Sequence, residues 1–584
     1  MNYSIRVKKR EKVITMYIDD YKRWLGAELE DPALTDELKK IEGQEGEIKE
    51  RFAVALKFGT AGLRGILGAG SNRMNIYVVR QATQGLANWV KTQGGSQLVA
   101  ISYDSRINSD VFARNAACVL AANGIEANLY PRLEPVPALS YAVRALSCGV
   151  GICITASHNP ALYNGFKVYG ADGCQLTPSG VSRIAAILEN HSYFEAIQTG
   201  SFDALLRAGS IRWIPEAILN AYLDAVLSLR VRHDDLSGLS IVYTPLNGSG
   251  RECVERICRA LGIRNFTLVS EQAKPDGHFP TCPYPNPEIR EAMALGLSYC
   301  ERLRPDLLIG TDPDCDRCGV AVPSGKGSYR LLTGNEVGVL LLDFICQTRQ
   351  SNGTMPQIPV AVTTIVSTDM ADPIAAHYGV ELRRTLTGFK FIGEQIGLLE
   401  SEGHKERFLF GFEESYGYLS GTHVRDKDGV NACMLIAEAA CWYKKNYGCT
   451  LVDAIDRLYE QYGYYGDKVT SFVLPGKDGL EKMQSVMKAL RGNVPAEFGG
   501  VKVVAVRDYL SSERVEGGKT TALTLPKSNV MYFELEGGAW LCVRPSGTEP
   551  KIKLYVNAVT KSDADTKSQL NRISNAAVKL LESL

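Results

Sequence analysis

Short apolar segments of strand length alternate along this chain with segments in which apolar residues recur at helical spacing. Leu98 to Ile101 is one such apolar segment, and the stretch after Asp110 keeps its apolar residues on one helical face until Gly124 ends it. Two further strand-then-helix pairs are 239–243 with 251–261, and 307–310 with the segment that starts at residue 335. Regular alternation of strands and helices predicts an α/β architecture with mainly parallel or mixed sheets.

The last part of the chain is ordered differently, because several strand patterns come before one closing helix. The strand patterns are 501–506, 530–534 and 540–543, and the helix pattern runs from Leu570 to Leu584. This order predicts a separate C-terminal α+β domain. A chain of 584 residues is too long for one hydrophobic core, and its length predicts about three to five domains. Candidate joints lie near 200–238, 324–334 and 460–475.

The charge balance excludes several kinds of partner. The 65 basic residues are matched by 65 acidic residues, so the bulk charge does not point to nucleic acid or to an anionic membrane surface. The N-terminal segment has no apolar stretch long enough for a signal peptide, and Asp343 interrupts the apolar run Val337 to Leu342 well short of a bilayer span. We therefore expect a soluble cytoplasmic protein whose 15 cysteines are reduced, mostly buried thiols.

The segment GICITASHNPALYNGFK, at 151–167, presents one serine as a reactive centre. Ser157 follows a strand-like run, His158 lies beside it, and Lys167 brings a cation ten residues later. A serine elbow of the hydrolase type needs glycines two residues either side, where this chain has Thr155 and Asn159. Two interpretations of the segment alone remain open: a nucleophile or phosphate carrier, and a Ser-His pair that caps a turn.

A second segment, directly after the strand-like 307–310, alternates three carboxylates in five residues. In an extended loop alternate side chains point the same way, so Asp312, Asp314 and Asp316 can converge on one hard cation such as Mg²⁺. A calcium-binding EF-hand loop needs glycine at its sixth position and glutamate at its twelfth, where this chain has Arg317 and Pro323. The EF-hand is excluded, and a solvated acidic turn remains the alternative.

Three further segments have the composition of ligand-binding turns. They are FGTAGLRG at 58–65, GFEESYG at 411–417 and RPSGTEPK at 544–551. The first lacks the spacing of dinucleotide-binding and Walker loops, so nucleotide binding has no support. Paired acids beside a serine suit sugar hydroxyls in the second, and an arginine beside hydroxyls and a glycine suits a phosphate dianion in the third. Taken singly, the second also fits a helix cap and the third a surface turn.

Together and in this order, the segments resemble the signature loops of the α-D-phosphohexomutase superfamily. The TASHNP loop, the Asp-x-Asp-x-Asp-Arg loop, the Glu-x-Ser loop and the Arg-Pro-Ser-Gly-Thr-Glu-Pro loop spread over nearly the whole chain. FGTAGLRG, TGFK at 387–390 and VRDKDG at 424–429 are most similar to the phosphoglucomutase and phosphopentomutase branch. The resemblance implies three successive α/β domains with mixed sheets and a C-terminal α+β domain, arranged around a central cleft.

The expected domains each carry one signature loop. They are 1–205 with the serine loop and a helical N-terminal extension, 206–325 with the metal-binding loop, 326–462 with the sugar-binding loop, and 463–584 with the phosphate-binding loop.

The resemblance also implies roles for individual residues. Those implied for catalysis are Ser157, which carries the phosphoryl group, and His158, Lys167 and Arg64. Those implied for binding Mg²⁺ are Ser157, through its phosphoryl oxygen, and Asp312, Asp314 and Asp316. Those implied for binding the sugar phosphate are Arg317, Thr387, Gly388, Glu413, Ser415, Lys427, Arg544, Ser546, Gly547 and Thr548.

The activity that the resemblance implies is the interconversion of glucose 1-phosphate and glucose 6-phosphate. It would run through a phosphoserine enzyme and a sugar bisphosphate, with Mg²⁺ as cofactor and a sugar 1,6-bisphosphate as activator. Phosphopentomutase, phosphomannomutase and glucose-1,6-bisphosphate synthase activities remain alternatives. The expected partners are small sugar phosphates, not nucleic acid or membrane, and the sequence leaves the choice between monomer and dimer open.

Overall fold

Helices before the first sheet form a layer of their own, which we call the N-terminal layer (residues 16–52). The computed structural model describes residues 16–584 except for 60–61, 177–179, 181, 184–192, 196, 326, 475–476 and 546–550. Residues 16–25 are helical, and two more helices span Pro32–Lys40 and Glu45–Phe52. The ring of Trp24 is buried against those of Phe52 and Tyr77, so aromatic packing fastens the layer to the rest of the protein.

Six strands form the first sheet, in the order β1-β5-β4-β2-β3-β6. They span Leu63–Ile66 (β1), Leu98–Tyr103 (β2), Glu126–Leu129 (β3), Val150–Ile154 (β4), Tyr163–Gly170 (β5) and Ile211–Trp213 (β6). Helices in this part span Ile76–Thr92, Ser109–Ala122, Val136–Ala145, Phe202–Arg207 and Glu216–Ser228. Strands β4, β2, β3 and β6 are parallel, whereas β5 and the edge strand β1 are paired antiparallel. The strand predicted at Leu98 and the helix predicted after Asp110 are confirmed.

The second sheet has five strands in the order β11-β10-β9-β7-β8. They span Ser240–Thr244 (β7), Asn265–Leu268 (β8), Leu307–Thr311 (β9), Cys318–Pro323 (β10) and Tyr329–Leu331 (β11). Helices span Arg251–Ala260, Ser270–Ala273 and Arg290–Leu303. Strands β8, β7 and β9 are parallel, and β10 returns antiparallel to β9. This is a second mixed sheet.

The third sheet has four strands in the order β13-β12-β14-β15. They span Val360–Thr364 (β12), Glu381–Thr385 (β13), Phe408–Glu413 (β14) and Gly417–Ser420 (β15). Helices span Gly334–Ser351, Ala371–His377, Phe389–Ser401, Gly429–Tyr447 and Leu451–Tyr462, with a 3₁₀ turn at Lys405–Arg407. Strand β12 is parallel to both neighbours, and β15 is antiparallel to β14.

The fourth sheet is antiparallel, with the order β16-β23-β22-β21-β18-β19-β20 and β17 beside β18. Its strands span Tyr464–Val473 (β16), Glu497–Phe498 (β17), Val501–Asp508 (β18), Glu513–Glu516 (β19), Lys519–Ala522 (β20), Met531–Leu535 (β21), Trp540–Pro545 (β22) and Lys551–Thr560 (β23). Helices span Lys477–Gly492 and Asp563–Ser583, with a 3₁₀ turn at Glu536–Gly538. The predicted C-terminal α+β domain is confirmed.

One arrangement recurs in the first three sheets: a strand with a parallel neighbour is followed by an antiparallel partner, and the connection between them carries a site segment. Ser157 lies between β4 and β5, the three aspartates lie between β9 and β10, and Ser415 lies between β14 and β15. These connections leave the carboxyl ends of parallel strands, where α/β sheets place their ligand sites. The fold therefore presents each predicted segment at an equivalent position.

Packing joins the first three sheets through one continuous hydrophobic core, to which each contributes. Within this core the Tyr222 hydroxyl donates to Oδ1 of Asp428 at 2.9 Å. This contact connects the helix Glu216–Ser228, which follows the first sheet, to the third unit. The fourth sheet has its own core and meets the third unit through a smaller cluster that includes Leu386, Trp540 and Tyr555. The predicted class, three α/β units followed by an α+β unit, is confirmed. Among the described residues no helix is both long and apolar enough to cross a bilayer.

Candidate active site

The serine loop (residues 155–162) is held from below by a buried ion pair. Arg106 donates to the carbonyl oxygens of Ser157 at 2.5 Å and of Pro160 at 2.9 Å, and also to that of Asn159. Asp104 lies 3.4 Å from Arg106, and both side chains are fully buried. Burial lowers the pKa of Arg106 to about 10, so the guanidinium remains charged at neutral pH. Neither Arg106 nor Asp104 was predicted from the sequence.

Ser157 adopts a left-handed backbone conformation, with φ of 53°, and its amide donates to Oγ1 of Thr155 at 2.8 Å. A non-glycine residue in this region is uncommon and is found at functional turns. Ser157 is only 3% exposed, so the end of β4 buries the serine. The hydroxyl is presented to neighbouring protein groups instead of bulk water.

The Ser157 hydroxyl lies between an acid and an imidazole. Its Oγ donates to Oδ2 of Asp312 at 2.8 Å and lies 3.0 Å from Nδ1 of His158. Burial, with the charges of Arg317 and Arg64, holds the pKa of His158 well below its usual range, so the ring is neutral at pH 7. Ser157 and Asp312 thus meet across the boundary between the first two sheets.

The aspartate loop (residues 312–317) brings one carboxylate oxygen from each of Asp312, Asp314 and Asp316 within 4.8 Å of the others. The convergence was predicted, but the extended conformation proposed for it was wrong. The loop is a turn in which Cys315 has φ of 53°, and Oδ1 of Asp312 accepts from the amides of Asp316 and Arg317 at 3.1 and 3.0 Å. The turn, not strand alternation, directs the three side chains to one point.

These buried carboxylates are balanced in the described structure by lysines. Lys167 Nζ lies 2.8 Å from Oδ2 of Asp314 and 3.5 Å from Oδ2 of Asp316, and Lys427 Nζ lies 3.2 Å from Oδ2 of Asp316. Burial lowers the pKa of Lys167, but Asp314 and Asp316 outweigh it and raise the pKa, so Lys167 is charged. Burial and the two neighbouring acids raise the pKa of Asp312 well above its usual range. The cluster concentrates negative charge that a bound cation would relieve.

The aspartate loop fits a divalent cation. Oδ1 of Asp314 and Oδ1 of Asp316 are buried, and neither has a hydrogen-bond partner among the described residues. Buried carboxylate oxygens without a partner are costly unless a ligand takes them, and oxygen ligands of this kind suit Mg²⁺. In the part of the chain that the structure describes, this is the one group of acids, histidines and cysteines with metal-binding spacing.

The sugar loop (residues 413–416) is fastened to the TGFK segment. Oε1 of Glu413 accepts from the amide of Gly388 at 2.7 Å, and Gly388 has φ of 116°, a conformation that favours glycine. Burial raises the pKa of Glu413 to about 7, against the charge of Lys427. Thr387 and Ser415 are half-buried in the same two segments. The contact between Glu413 and Gly388 therefore brings these two segments, and with them Thr387 and Ser415, close together.

The fourth sheet contributes cations. Arg544, at the end of β22, is half-buried and donates to the Tyr555 hydroxyl at 3.4 Å; Ser546, Gly547 and Thr548 lie outside the described residues. Lys553 is paired with Arg544 in the β22–β23 register, and burial lowers its pKa. Lys553 was not predicted from the sequence, although its alternation with Lys551 in an apolar strand was a signal.

Two predicted cations remain, Arg64 of the first unit and Arg317 at the end of the aspartate loop. Arg64 on β1 donates to Oδ1 of Asn159 at 3.1 Å, and Arg317 pairs with Glu288 in the second unit. Both charges, with that of Lys553, act on the buried His158 ring. Positive side chains from all four units thus surround Ser157 and the aspartates, an environment that suits a multiply charged phosphate ester.

Models of four domains match this chain in consecutive segments. They describe the α/β/α domains I, II and III and the C-terminal domain of phosphoglucomutase/phosphomannomutase, at residues 55–194, 220–325, 333–462 and 483–575. A curated phosphoglucomutase of Staphylococcus aureus (strain MSSA476) is 36% identical over 539 residues, which cover 91% of this chain and 95% of that protein. The chain belongs to the phosphoglucomutase/phosphomannomutase family.

Solved structures show the same fold at lower identity. Parafusin, a phosphoglucomutase of Paramecium in an open form, superposes with a TM-score of 0.66 at 17% identity and covers 91% of this chain and 96% of its own. A phosphoglucomutase/phosphomannomutase family protein of Burkholderia thailandensis gives a TM-score of 0.61 at 18% identity, covering 90% and 97%. Membership makes the chain an enzyme of a mutase family, and the family implies sugar phosphates as its substrates.

Proposed function

We propose that this chain interconverts glucose 1-phosphate and glucose 6-phosphate through a phosphoserine at Ser157 and a glucose 1,6-bisphosphate intermediate. The observation that carries the proposal is the position of the Ser157 hydroxyl, 2.8 Å from Asp312 in a three-aspartate cluster and surrounded by cations. The preference for glucose rests on relatives named phosphoglucomutase at 36% identity.

The proposed chemistry consists of two phosphoryl transfers at Ser157, the first from the serine to the sugar and the second from the sugar back to the serine. In the first, a hydroxyl oxygen of the sugar monophosphate bonds to phosphorus as the bond from phosphorus to Ser157 Oγ breaks, which yields the bisphosphate. The hydroxyl proton passes to a protein base, for which the neutral ring of His158 is the candidate, because Lys167 is already protonated. After the bisphosphate turns end for end, Ser157 Oγ bonds to the other phosphorus as the bond from that phosphorus to the sugar oxygen breaks. The sugar oxygen takes back the proton from the base, and the isomeric monophosphate leaves.

The residues of this chain would share the work by position. Asp312, Asp314 and Asp316 would hold Mg²⁺, which when bound supplies positive charge beside the transferring group. Arg64 and Lys167, beside the serine, would add fixed positive charge there without reorganisation during the reaction. Their arrangement stabilises charge on phosphoryl oxygens, which is most of what catalysis of phosphoryl transfer requires.

The far end of the substrate would be held by the third and fourth units. Glu413, with Ser415, Thr387 and Gly388, would bind sugar hydroxyls, because an ionised carboxylate accepts hydrogen bonds from them. Arg544 with Ser546, Gly547 and Thr548 would bind the phosphate that does not react, and Arg317, Lys427 and Lys553 would add positive charge for the bound sugar phosphate. One site can then serve both orientations of the bisphosphate.

A substrate panel tests the proposal. The purified chain is assayed with Mg²⁺ on the 1-phosphates of glucose, mannose and ribose, with and without glucose 1,6-bisphosphate. We expect the highest kcat/KM on glucose 1-phosphate and stimulation by the bisphosphate. A higher kcat/KM on ribose 1-phosphate or mannose 1-phosphate would show that glucose 1-phosphate is not the preferred substrate. Net synthesis of a bisphosphate from an acyl phosphate would show that the chain is a synthase and not a mutase.

A further inference from the structure

The N-terminal layer grips one turn, which we call the clamped turn (residues 67–75). Oε2 of Glu37 accepts from the amide of Ala69 at 2.8 Å, and Nη1 of Arg51 donates to the carbonyl of Ala69 at 3.2 Å. The two side chains are themselves joined, since Arg51 Nη1 lies 2.6 Å from Oε1 of Glu37. The ion pair of Glu37 and Arg51 therefore binds both the backbone N–H and the backbone C=O of Ala69.

Backbone carbonyls of the helix Glu45–Phe52, which carries Arg51, also bind the clamped turn. The carbonyl of Arg51 accepts from the amide of Asn72 at 2.9 Å, and the carbonyl of Glu50 accepts from the Asn72 side chain at 2.8 Å. The approach is close enough to require glycine. A Cβ at Gly68 would lie 2.8 Å from Oε1 of Glu37, and one at Gly70 would lie 2.9 Å from the Arg51 carbonyl.

The opposite side of the clamped turn leads into the active site. The amide of Leu67 donates to the carbonyl of Leu162, the last residue of the serine loop, at 2.8 Å. The turn also continues directly from β1, which carries Arg64 opposite Gly165 of β5. Strand β1 is a four-residue edge strand whose single neighbour in the sheet is β5. The sheet therefore holds β1 on one side, and among the described residues its other side has no strand to restrain it.

We infer that the N-terminal layer is a positioning element for phosphoryl transfer, and that Glu37 and Arg51 are positioning residues that set Arg64 and the serine loop through the clamped turn. The inference rests on the proposed function in one respect, the use of Arg64 beside the phosphoryl group. Misplacement of a catalytic group by a fraction of its contact distance lowers turnover strongly, while the binding of distant parts of the substrate is preserved.

Glu37→Gln is the variant that tests this. The two contacts use different oxygens of the Glu37 carboxylate, and glutamine replaces one of these oxygens with an NH₂ donor, so one contact of the clamp is lost. Glu47→Gln is the matched control, since the Glu47 side chain is 46% exposed, lies on the same helix as Arg51 and contacts Arg51 Nε at 3.4 Å without touching the clamped turn through this contact. We expect E37Q to lower kcat about tenfold with KM nearly unchanged, and E47Q to leave both constants unchanged.

A double-mutant cycle separates positioning from a general loss of stability. With Arg64→Met as the second change, we expect E37Q to cost about tenfold in kcat in the parent and clearly less in the R64M background, where only the contact with the serine loop is left. Equal losses in both backgrounds, or a lowered Tm with unchanged kcat, would overturn the inference. If E37Q does not fold, Arg51→Gln makes the same comparison by removing the guanidinium from the clamp.

Hydrogen exchange keeps the inference testable if the chain proves inactive on sugar phosphates, an outcome that would refute the proposed function alone. We expect the Leu67 amide and the β1 amides to exchange about tenfold faster in E37Q than in E47Q. Equal exchange rates in the two variants would contradict the clamp itself.

Discussion

The hydroxyl of Ser157 lies 2.8 Å from Oδ2 of Asp312, although 155 residues of sequence separate the two. The contact crosses from the first sheet to the second. It depends on two turns, because both Ser157 and Cys315 adopt left-handed backbone conformations, with φ of 53° each. A phosphoryl group on the serine would therefore be formed next to the residues that fit a divalent cation.

Asp314→Asn should weaken Mg²⁺ binding. The change removes one negative charge from the cluster and one of the two buried oxygens without a partner among the described residues. We expect the Mg²⁺ concentration for half-maximal activity to rise about 10- to 100-fold, measured by titration of the metal-free enzyme. Asp563→Asn, an exposed acid of the C-terminal helix, is the control and should leave the titration unchanged.

Arg106→Met should destabilise the protein as well as inactivate it. The substitution leaves Asp104 buried without its cation and leaves three serine-loop carbonyls without their donor. We expect the free energy of unfolding, measured by urea denaturation, to fall by about 3 kcal/mol. Arg212→Met removes an exposed ion pair with Glu126 and should change it by less than about 0.5 kcal/mol. Equal effects would show that the buried pair is not a special support.

Glu413 should make activity depend on pH near neutrality. Burial raises the pKa of Glu413 to about 7, so the group is protonated below this pH and a hydrogen-bond acceptor for sugar hydroxyls above it. We expect kcat/KM to fall as pH drops through about 7. Glu413→Gln should lower kcat/KM and lose this inflection, retaining that of the substrate phosphate near pH 6. An unchanged inflection near 7 in the variant would assign it to another group.

The C-terminal unit should close on the bisphosphate. A phosphoserine exposed to water would hydrolyse, and the fourth unit meets the third through a cluster small enough to rearrange. Small-angle scattering should give a smaller radius of gyration with glucose 1,6-bisphosphate than without it. Identical radii in the two states would mean that the cleft is sealed in some other way.

Much of the fold and part of the candidate site could be predicted from the local sequence, because strand patterns and turn residues act over a few positions. The strand before Ser157 and the strand before Asp312 could be predicted, as could the convergence of the three acids. The turn at Cys315 could not, since nothing local distinguishes it from an extended loop. Arg106 and Lys553 were missed for a different reason, because their importance arises only when the chain folds. Arg106 donates to carbonyls 51 to 54 residues away, and Lys553 interacts with Glu288 and Glu414. The same holds for Glu37, whose contact with Ala69 spans 32 residues.

The central claim is that Ser157 carries the phosphoryl group, and phosphopeptide mapping tests it most directly. The enzyme is incubated with glucose 1,6-bisphosphate, freed of sugar, digested and analysed by mass spectrometry, and a second portion is mixed with glucose 1-phosphate. We predict one phosphoryl group per chain on Ser157, its transfer to the sugar in one turnover, and at least about a thousandfold loss of activity in Ser157→Ala. A phosphoryl group on another residue, or undiminished turnover by Ser157→Ala, would contradict the account.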